Sequence, residues 1–536
     1  MNRRGFLFGT SLTAAALAVG LSGCTDQAGQ PSVKEAGSGE LPTRVPFASV
    51  KPDLPEVAGG VPPAYFAYPA KPVKRDGFPY QGASGPITAL LQGNAAVTPK
   101  GSNKWWQQLE EASGFSFNIS SAMSADYQPK LQVTLAGGDV PDLVQIVNVP
   151  GLPGVLDKFF ADLTPYLAGD AIKEYPGLAS IPTETWKIGQ VNGKIWGIAQ
   201  PRPPAGTIAS YRGDLFAKFG ITEPPELRDG QDFLDVCKQV TDAHNSIFAM
   251  GADPAGWMMP AMLEMMGAPN QWQDEGGKLT HVYELPVMKD ALDQVTQMFK
   301  NQYLHPDSAS AGAENYTWWQ SGRTSIYLQS FAGWGSYAKQ SPDWKLDAMV
   351  LPKWDGGGSA DKHLSVAGYG AYIAIKKGSE ERIKELLRFC DFIASPFGTE
   401  EQFLVNFGVE GTHFERDGNE PVALPASQTD VPPGLAYIGA QSSAVVYTPN
   451  NKPIVQKQYD YLKQVLPTGV TNPVLGLYSE AAVTSGASAL KTVNDLQKEI
   501  IIGRKPLSEW DAQVDRWRQE TGDQQRQEFQ DALQQK

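Results

Sequence analysis

From about Ile87 onward, short apolar runs alternate with amphipathic stretches. ITALLQG is a compact apolar run ended by Gly93-Asn94, the pattern of a buried strand. NKWWQQLEEASG follows as a helix, with Asn103 as its cap and Gly114 as its stop. FSFNIS reads as a strand, YQPKLQVTLAGG as a helix ending in two glycines, and DLVQIV as another apolar strand. Further strands are expected at KIWGIA, IASYR, SIYLQS, KLDAMVL and GAYIAI. Further helices are expected at ELRDGQDFLDVCKQVTDA, MKDALDQVTQMFKNQ, SEERIKELLRFCDFIAS and VNDLQKEIII. Strands alternating with helices predict parallel β-α-β units, hence an α/β fold. The tail from Leu507 is a helix that places Trp510, Val514 and Trp517 on one face. Clustered Met258, Met259, Met262, Met265 and Met266 read as a helical core stripe.

Ahead of Ile87 the pattern changes. Arg3 and Arg4 precede an uncharged run that ends in LSGC, with Cys24 last. This is a secretory signal, too short and weakly apolar for a stable membrane span. Arg3-Arg4-Gly5-Phe6-Leu7 resembles the twin-arginine export motif, and Leu21-Ser22-Gly23-Cys24 resembles a bacterial lipobox. That resemblance implies cleavage before Cys24 and a lipid on its thiol, leaving the protein anchored at the extracytoplasmic face of the cell membrane. Residues 24–83 read as a tether, because ten prolines fall between Pro31 and Pro79 and such a chain favours extended conformations, with the aromatic stretch VPPAYFAYPAKPV leaving open that its end lies against the folded body.

Composition narrows the function. Of 536 residues 41% are apolar and 19% charged, so a core can form and disorder is excluded. The net charge of -13 argues against a nucleic-acid partner. Three Cys are too few for a disulfide scaffold, and Cys237 and Cys390 fall in helical runs as small buried hydrophobes. Five scattered His offer little to a metal, and no cofactor or metal site is expected. H-E-x-x-H and G-x-S-x-G are missing, and no catalytic residue is assigned. Gly189–Lys194 is one residue short of a phosphate loop, and Asn192-Gly193 reads instead as a hairpin turn.

Several segments together resemble the family 1 extracellular solute-binding proteins of bacterial ABC importers, in the long LipO-like lipoprotein branch. They are LAGGDVPDL around Pro141, VNGKIWGI around Gly193, YRGDLF at Tyr211, NFGVEGTH at Asn406 and IGRKPLSEW ending at Trp510. The resemblance implies a two-lobed periplasmic-binding-protein-like fold of type II, with a hinge and an interlobe ligand cleft. It implies lobe 1 from 84–204 plus 368–415, and lobe 2 from 205–367 plus 430–536. Crossings are then expected near Ala205, near Gly368 and between 410 and 430.

The guest expected in such a cleft is an oligosaccharide or other glycan fragment, which needs aromatic faces for its rings and planar polar groups for its hydroxyls. Trp334, in SFAGWGSYAK, is the leading aromatic candidate; in the family a Trp at this segment stacks on sugar, and the alternative is packing between hinge and lobe. Trp257 and Asp253 follow the IFAMGA run, Asn94 follows ITALLQG, Gln145 lies in PDLVQ, and Arg202 follows KIWGIAQP. Tyr369 sits at the expected second crossing. Core packing for Trp257, hinge packing for Tyr369, an ion pair for Arg202 and a turn role for Asn94 are the competing roles. The expected protein is a monomeric, non-enzymatic, lipid-anchored binding protein that hands its ligand to ABC permeases. The rivals are a secreted glycan-active enzyme and a surface signalling protein with a degenerate cleft.

Overall fold

The computed structural model describes residues 39–93, 97–147, 149–365, 368–432, 434–441 and 443–534, without the side chains of residues 368 and 369. Nine strands build two sheets: β1 Ile87–Gly93, β2 Phe117–Met123, β3 Leu143–Ile146, β4 Gly197–Pro201, β5 Thr207–Tyr211, β6 Phe248–Met250, β7 Thr324–Ser330, β8 Asp347–Met349 and β9 Gly368–Ile375. The helices needed below are α1 Lys104–Ser113, α2 Ser124–Gly137, α3 Leu152–Phe159, α4 Met259–Met265, α5 Trp334–Gln340, α6 Lys452–Val465, α7 Glu480–Thr484, α8 Gly486–Ile501 and α9 Trp510–Trp517.

Lobe 1 is the five-stranded sheet β2-β1-β3-β9-β4, with β1 parallel to β2 and β3, and β9 antiparallel to β3 and β4. Both faces are covered. Leu91 packs with Trp105, Leu109 and Ile373 on one face, and its neighbour Leu90 packs with Tyr127, Val144 and Tyr372 on the other. Two covered faces explain why the strands read as continuous apolar runs rather than alternating ones. Gly197 is required here by close approach. A Cβ on it would lie 2.2 Å from the Tyr372 ring.

Lobe 2 is the four-stranded sheet β8-β5-β7-β6. One face packs on α4, α8 and α9, and the methionine stripe lies in that core. The tail joins it through Trp510, Val514, Trp517 and Phe529. Cys237 and Cys390 are buried and free, one in the core of each lobe, and burial pushes both thiols up. Asn192 and Gly193, with φ of 50° and 73°, turn the expected hairpin between Gln190–Val191 and Lys194–Ile195.

The chain passes from lobe 1 to lobe 2 between Pro201 and Thr207, and returns between Met349 and Gly368. The third passage lies later than the expected 410–430. Leu435, Ile438 and Ala440 still belong to the lobe 1 core, whereas Val446 packs in a core with Ile208 and Leu346 of lobe 2.

The 24–83 segment departs from a tether over its described part. From Gly39 onward it is packed on the body, with Val61, Ala64 and Tyr68 each at most 1% exposed. Proline removes donors, yet it leaves the carbonyls and the side chains between prolines free to pack.

Candidate ligand-binding cleft

Strand direction places the cleft. In lobe 1, β1, β3 and β4 end at Gly93, Ile146 and Pro201, and β9 begins at Gly368, paired with Pro201. In lobe 2, β6, β7 and β8 end at Met250, Ser330 and Met349, and β5 begins at Thr207, paired with Ser330. The first crossing joins Pro201 directly to Thr207, and the second joins Met349 to Gly368. These two edges are therefore the ones from which the connections run. Ligands of open α/β sheets bind outside such strand ends.

A buried ion pair fixes the hinge end of lobe 2. Lys362, in the second crossing, bonds Glu264 of α4 at 2.9 Å, with both side chains 6% exposed. Lys362 also donates to the Thr207 carbonyl, which ties the second crossing to the end of the first.

The expected site residues divide at this edge. Trp257 is half-buried in a single π-type turn, Pro254–Met258, directly after β6. Such turns often mark functional positions. Asp253 opens that turn, accepts the Ala255 amide at 3.1 Å and pairs with Lys498 at 2.8 Å. Its carboxylate is committed to the scaffold. Arg202 is half-buried in the first crossing. Gln145 is fully buried, and its Oε1 accepts the Gln92 amide at 2.8 Å, so it braces the ends of β1 and β3 rather than facing a guest.

Trp334 does not present the stacking face expected of it. It begins α5, is 0% exposed, and packs edge-on against Phe331 and Tyr461 at 6.0 and 5.8 Å. The glycines on either side serve packing. A Cβ on Gly335 would meet Thr448 Oγ1 at 2.6 Å. Asn94 lies outside the described residues, as does Cys24. Tyr369 lies in β9 where the register against β4 slips between Gly368 and Tyr372.

Two edge residues escaped the sequence reading. Met123 ends β2 beside Gly93 and is 50% exposed. Gln200 precedes the first crossing, is 6% exposed, and its Oε1 has no hydrogen-bond partner among the described residues. A glutamine inside the apolar KIWGIAQP run was the available signal for it. Among the described residues no three His, Cys, Asp or Glu are grouped to hold a metal ion.

The lobes also touch away from the crossings. Glu480 Oε2 of α7 accepts the Gly151 amide at 2.8 Å, and Tyr478 Oη accepts the Leu152 amide at 3.3 Å. Leu477 packs on the lobe 2 core, whereas its neighbour Tyr478 packs on that of lobe 1.

Comparison with known proteins agrees with this architecture. The polygalacturonan/rhamnogalacturonan-binding protein YtcQ of Bacillus subtilis (strain 168) is 23% identical over 451 residues, covering 80% of this chain and 88% of that protein. Lipoprotein LipO of the same organism is 22% identical over 449 residues, covering 77% and 85%. The N-glycan transport solute-binding protein NgtS of Streptococcus pneumoniae superposes with a TM-score of 0.61 at 16% identity, covering 84% of this chain and 98% of that one. That likeness supports the two-lobed fold. Residues 104–407, more than half of the chain, match the family described as bacterial extracellular solute-binding protein, which places the chain in that family.

Proposed function

We propose that the protein is the lipid-anchored receptor of an ABC importer, held by Cys24 at the extracytoplasmic face, and that it binds an oligosaccharide between its lobes without turning it over. The observation that carries this reading is the pair of sheet edges joined by the crossings, with half-buried Trp257 at the end of β6. YtcQ supports a glycan as the guest, since its name records binding of polygalacturonan and rhamnogalacturonan. Trp257 would supply the aromatic face. Arg202, Asn94 and Tyr369 would meet hydroxyls or a carboxylate, and the carbonyl of Gln200 would accept from a hydroxyl. A buried acceptor without a partner costs about 1–3 kcal/mol, which a guest hydroxyl at Gln200 would recover. Ligand binding would favour the closed arrangement of the lobes, because only differential affinity shifts such an equilibrium. The closed form would then dock on membrane permeases, as a monomer.

Isothermal titration against polygalacturonan and rhamnogalacturonan fragments and neutral oligosaccharides tests the reading. Saturable binding with intact glycan recovered supports it; release of shorter products would make the protein an enzyme. Trp257→Ala should weaken binding by about thirtyfold, or about 2 kcal/mol. Cys24→Ser should move the protein from the detergent phase to the aqueous phase; unchanged partitioning would remove the anchor from the reading.

A further inference from the structure

Residues 39–83 run along lobe 1, cross to lobe 2 and return to lobe 1. In the first stretch the Gly39 amide donates to the Gly193 carbonyl at 2.7 Å, Thr43 to Gly169 at 2.9 Å and Val45 to Ala179 at 2.7 Å. All three acceptors lie in lobe 1. The chain then folds into a hairpin, bridged at Leu54–Ala64 and Val57–Val61. Val61 and Ala64, both 0% exposed, share one core with Ala205, Trp319, Trp334 and Val446. Tyr459 Oη of α6 donates to the Pro55 carbonyl at 2.7 Å.

The hairpin sits on the crossings themselves. Ala205 belongs to the first crossing. A Cβ on Gly60 would be 3.9 Å from Pro204 of the same connector. Val446 closes the third crossing. Its carbonyl accepts the Tyr65 amide at 3.0 Å, and its amide donates to the Pro63 carbonyl at 2.9 Å.

The return to lobe 1 is equally firm. Tyr68 Oη donates to the Thr399 carbonyl at 3.0 Å, and the Val73 amide to Gly398 at 2.9 Å. Arg75 pairs with Asp391 at 2.5 Å, with side chains 8% and 2% exposed. Tyr80 stacks on Phe115 at 4.9 Å.

We infer that residues 39–83 are a strap across the hinge, a further connection between the lobes that fixes the angle at which the cleft edges meet. It is a positioning element for the binding function proposed above and rests on that reading. The physical basis is that rotation about the crossings must slide or unseat a hairpin buried against two of them. A packed core resists continuous deformation, so the strap restricts the angles that the lobes can adopt.

The test needs no ligand, so its failure is distinct from failure of the glycan reading. Spin labels go on Val133→Cys in lobe 1 and Leu490→Cys in lobe 2, positions 73% and 48% exposed, in the full Cys24→Ser chain. Buried Cys237 and Cys390 escape labelling. Val61→Asp places a charge in the hairpin's seat, and Val61→Ser is the milder substitute should that chain fail to fold. Hydrogen exchange at the Tyr65 and Val446 amides reports whether the hairpin has left its seat. The expected result is faster exchange there together with a broader distribution of label distances, shifted in its mean. Faster exchange with the parent's distance distribution would overturn the strap.

Discussion

Glu480 of lobe 2 accepts the Gly151 amide of lobe 1 at 2.8 Å, at the start of α3. The carboxylate meets the positive end of that helix dipole. Tyr478 Oη donates to the same carboxylate, and burial followed by the Glu480 bond pushes its phenol up to about 12. The contact favours the arrangement in which the lobes touch. Glu480→Ala should remove about 1 kcal/mol of that preference, a roughly fivefold shift toward separated lobes. Small-angle scattering should show a larger radius of gyration. An unchanged radius would mean that the crossings and the strap set the lobe angle without this contact.

Trp334 belongs to the core beside the hinge, so its removal should cost stability. Trp334→Ala should destabilise by about 3–5 kcal/mol, as large-to-small changes at buried aromatics do. Urea unfolding followed by circular dichroism measures it. A loss under 1 kcal/mol would show that the site collapses around the smaller side chain.

What the sequence made legible, and what it hid, follows from the range of the interactions. The strand and helix runs of both lobes were readable, because burying a sheet on both faces leaves continuous apolar stretches such as ITALLQG and GAYIAI. Trp334 was misread because its burial is non-local. Glycine on each side suggests a loop, whereas Tyr461 and Val61, from distant parts of the chain, share one core with Trp334 and its near neighbour Phe331. The course of the strap from one lobe to the other and back was hidden for the same reason. Its proline content speaks of extended backbone, and the aromatic stretch VPPAYFAYPAKPV, which holds Val61 and Tyr68, signals contact with the body but not with which lobe. The third crossing was placed too early because the residues from Leu435 to Ala440 carry no strand to mark the lobe they belong to.

Lys362→Met should be strongly destabilising. It leaves the Glu264 carboxylate, 6% exposed, without its cation, and an uncompensated buried charge costs about 3–5 kcal/mol. The double variant Lys362→Met with Glu264→Gln should recover much of that loss, since the buried charge is then gone. Denaturation midpoints of the three proteins decide it. A double variant no better than the single one would show that the bond from Lys362 to Thr207 matters more than the ion pair.

His281 should make the tail of lobe 2 sensitive to mild acid. Its ring is 8% exposed among Trp272, Tyr283 and Trp517. Burial, with Arg526 adding repulsion, pushes its pKa down to about 3. Nδ1 accepts the Tyr283 amide at 3.3 Å, which suits the neutral ring, while Glu284 bonds the His281 backbone amide at 3.0 Å. The unfolded chain should titrate near pH 6.5. Above that value both states are neutral, and the group does not alter stability. As pH falls below about 6.5 the unfolded state gains a proton that the folded state refuses until about pH 3. Stability is therefore lost on acidification, by about 1.4 kcal/mol per pH unit within that window. Between pH 7 and pH 5 the loss amounts to about 2 kcal/mol. His281→Asn keeps a side-chain acceptor for the Tyr283 amide and removes the titration. Its stability at pH 7 should be lower through lost packing, but its decline from pH 7 to pH 5 should be shallower by that same amount. His305, whose pKa burial also lowers, is present in both proteins and cancels in the comparison. Urea titrations at both pH values give the two slopes, and parallel slopes would mean that the folded state accepts the proton at His281.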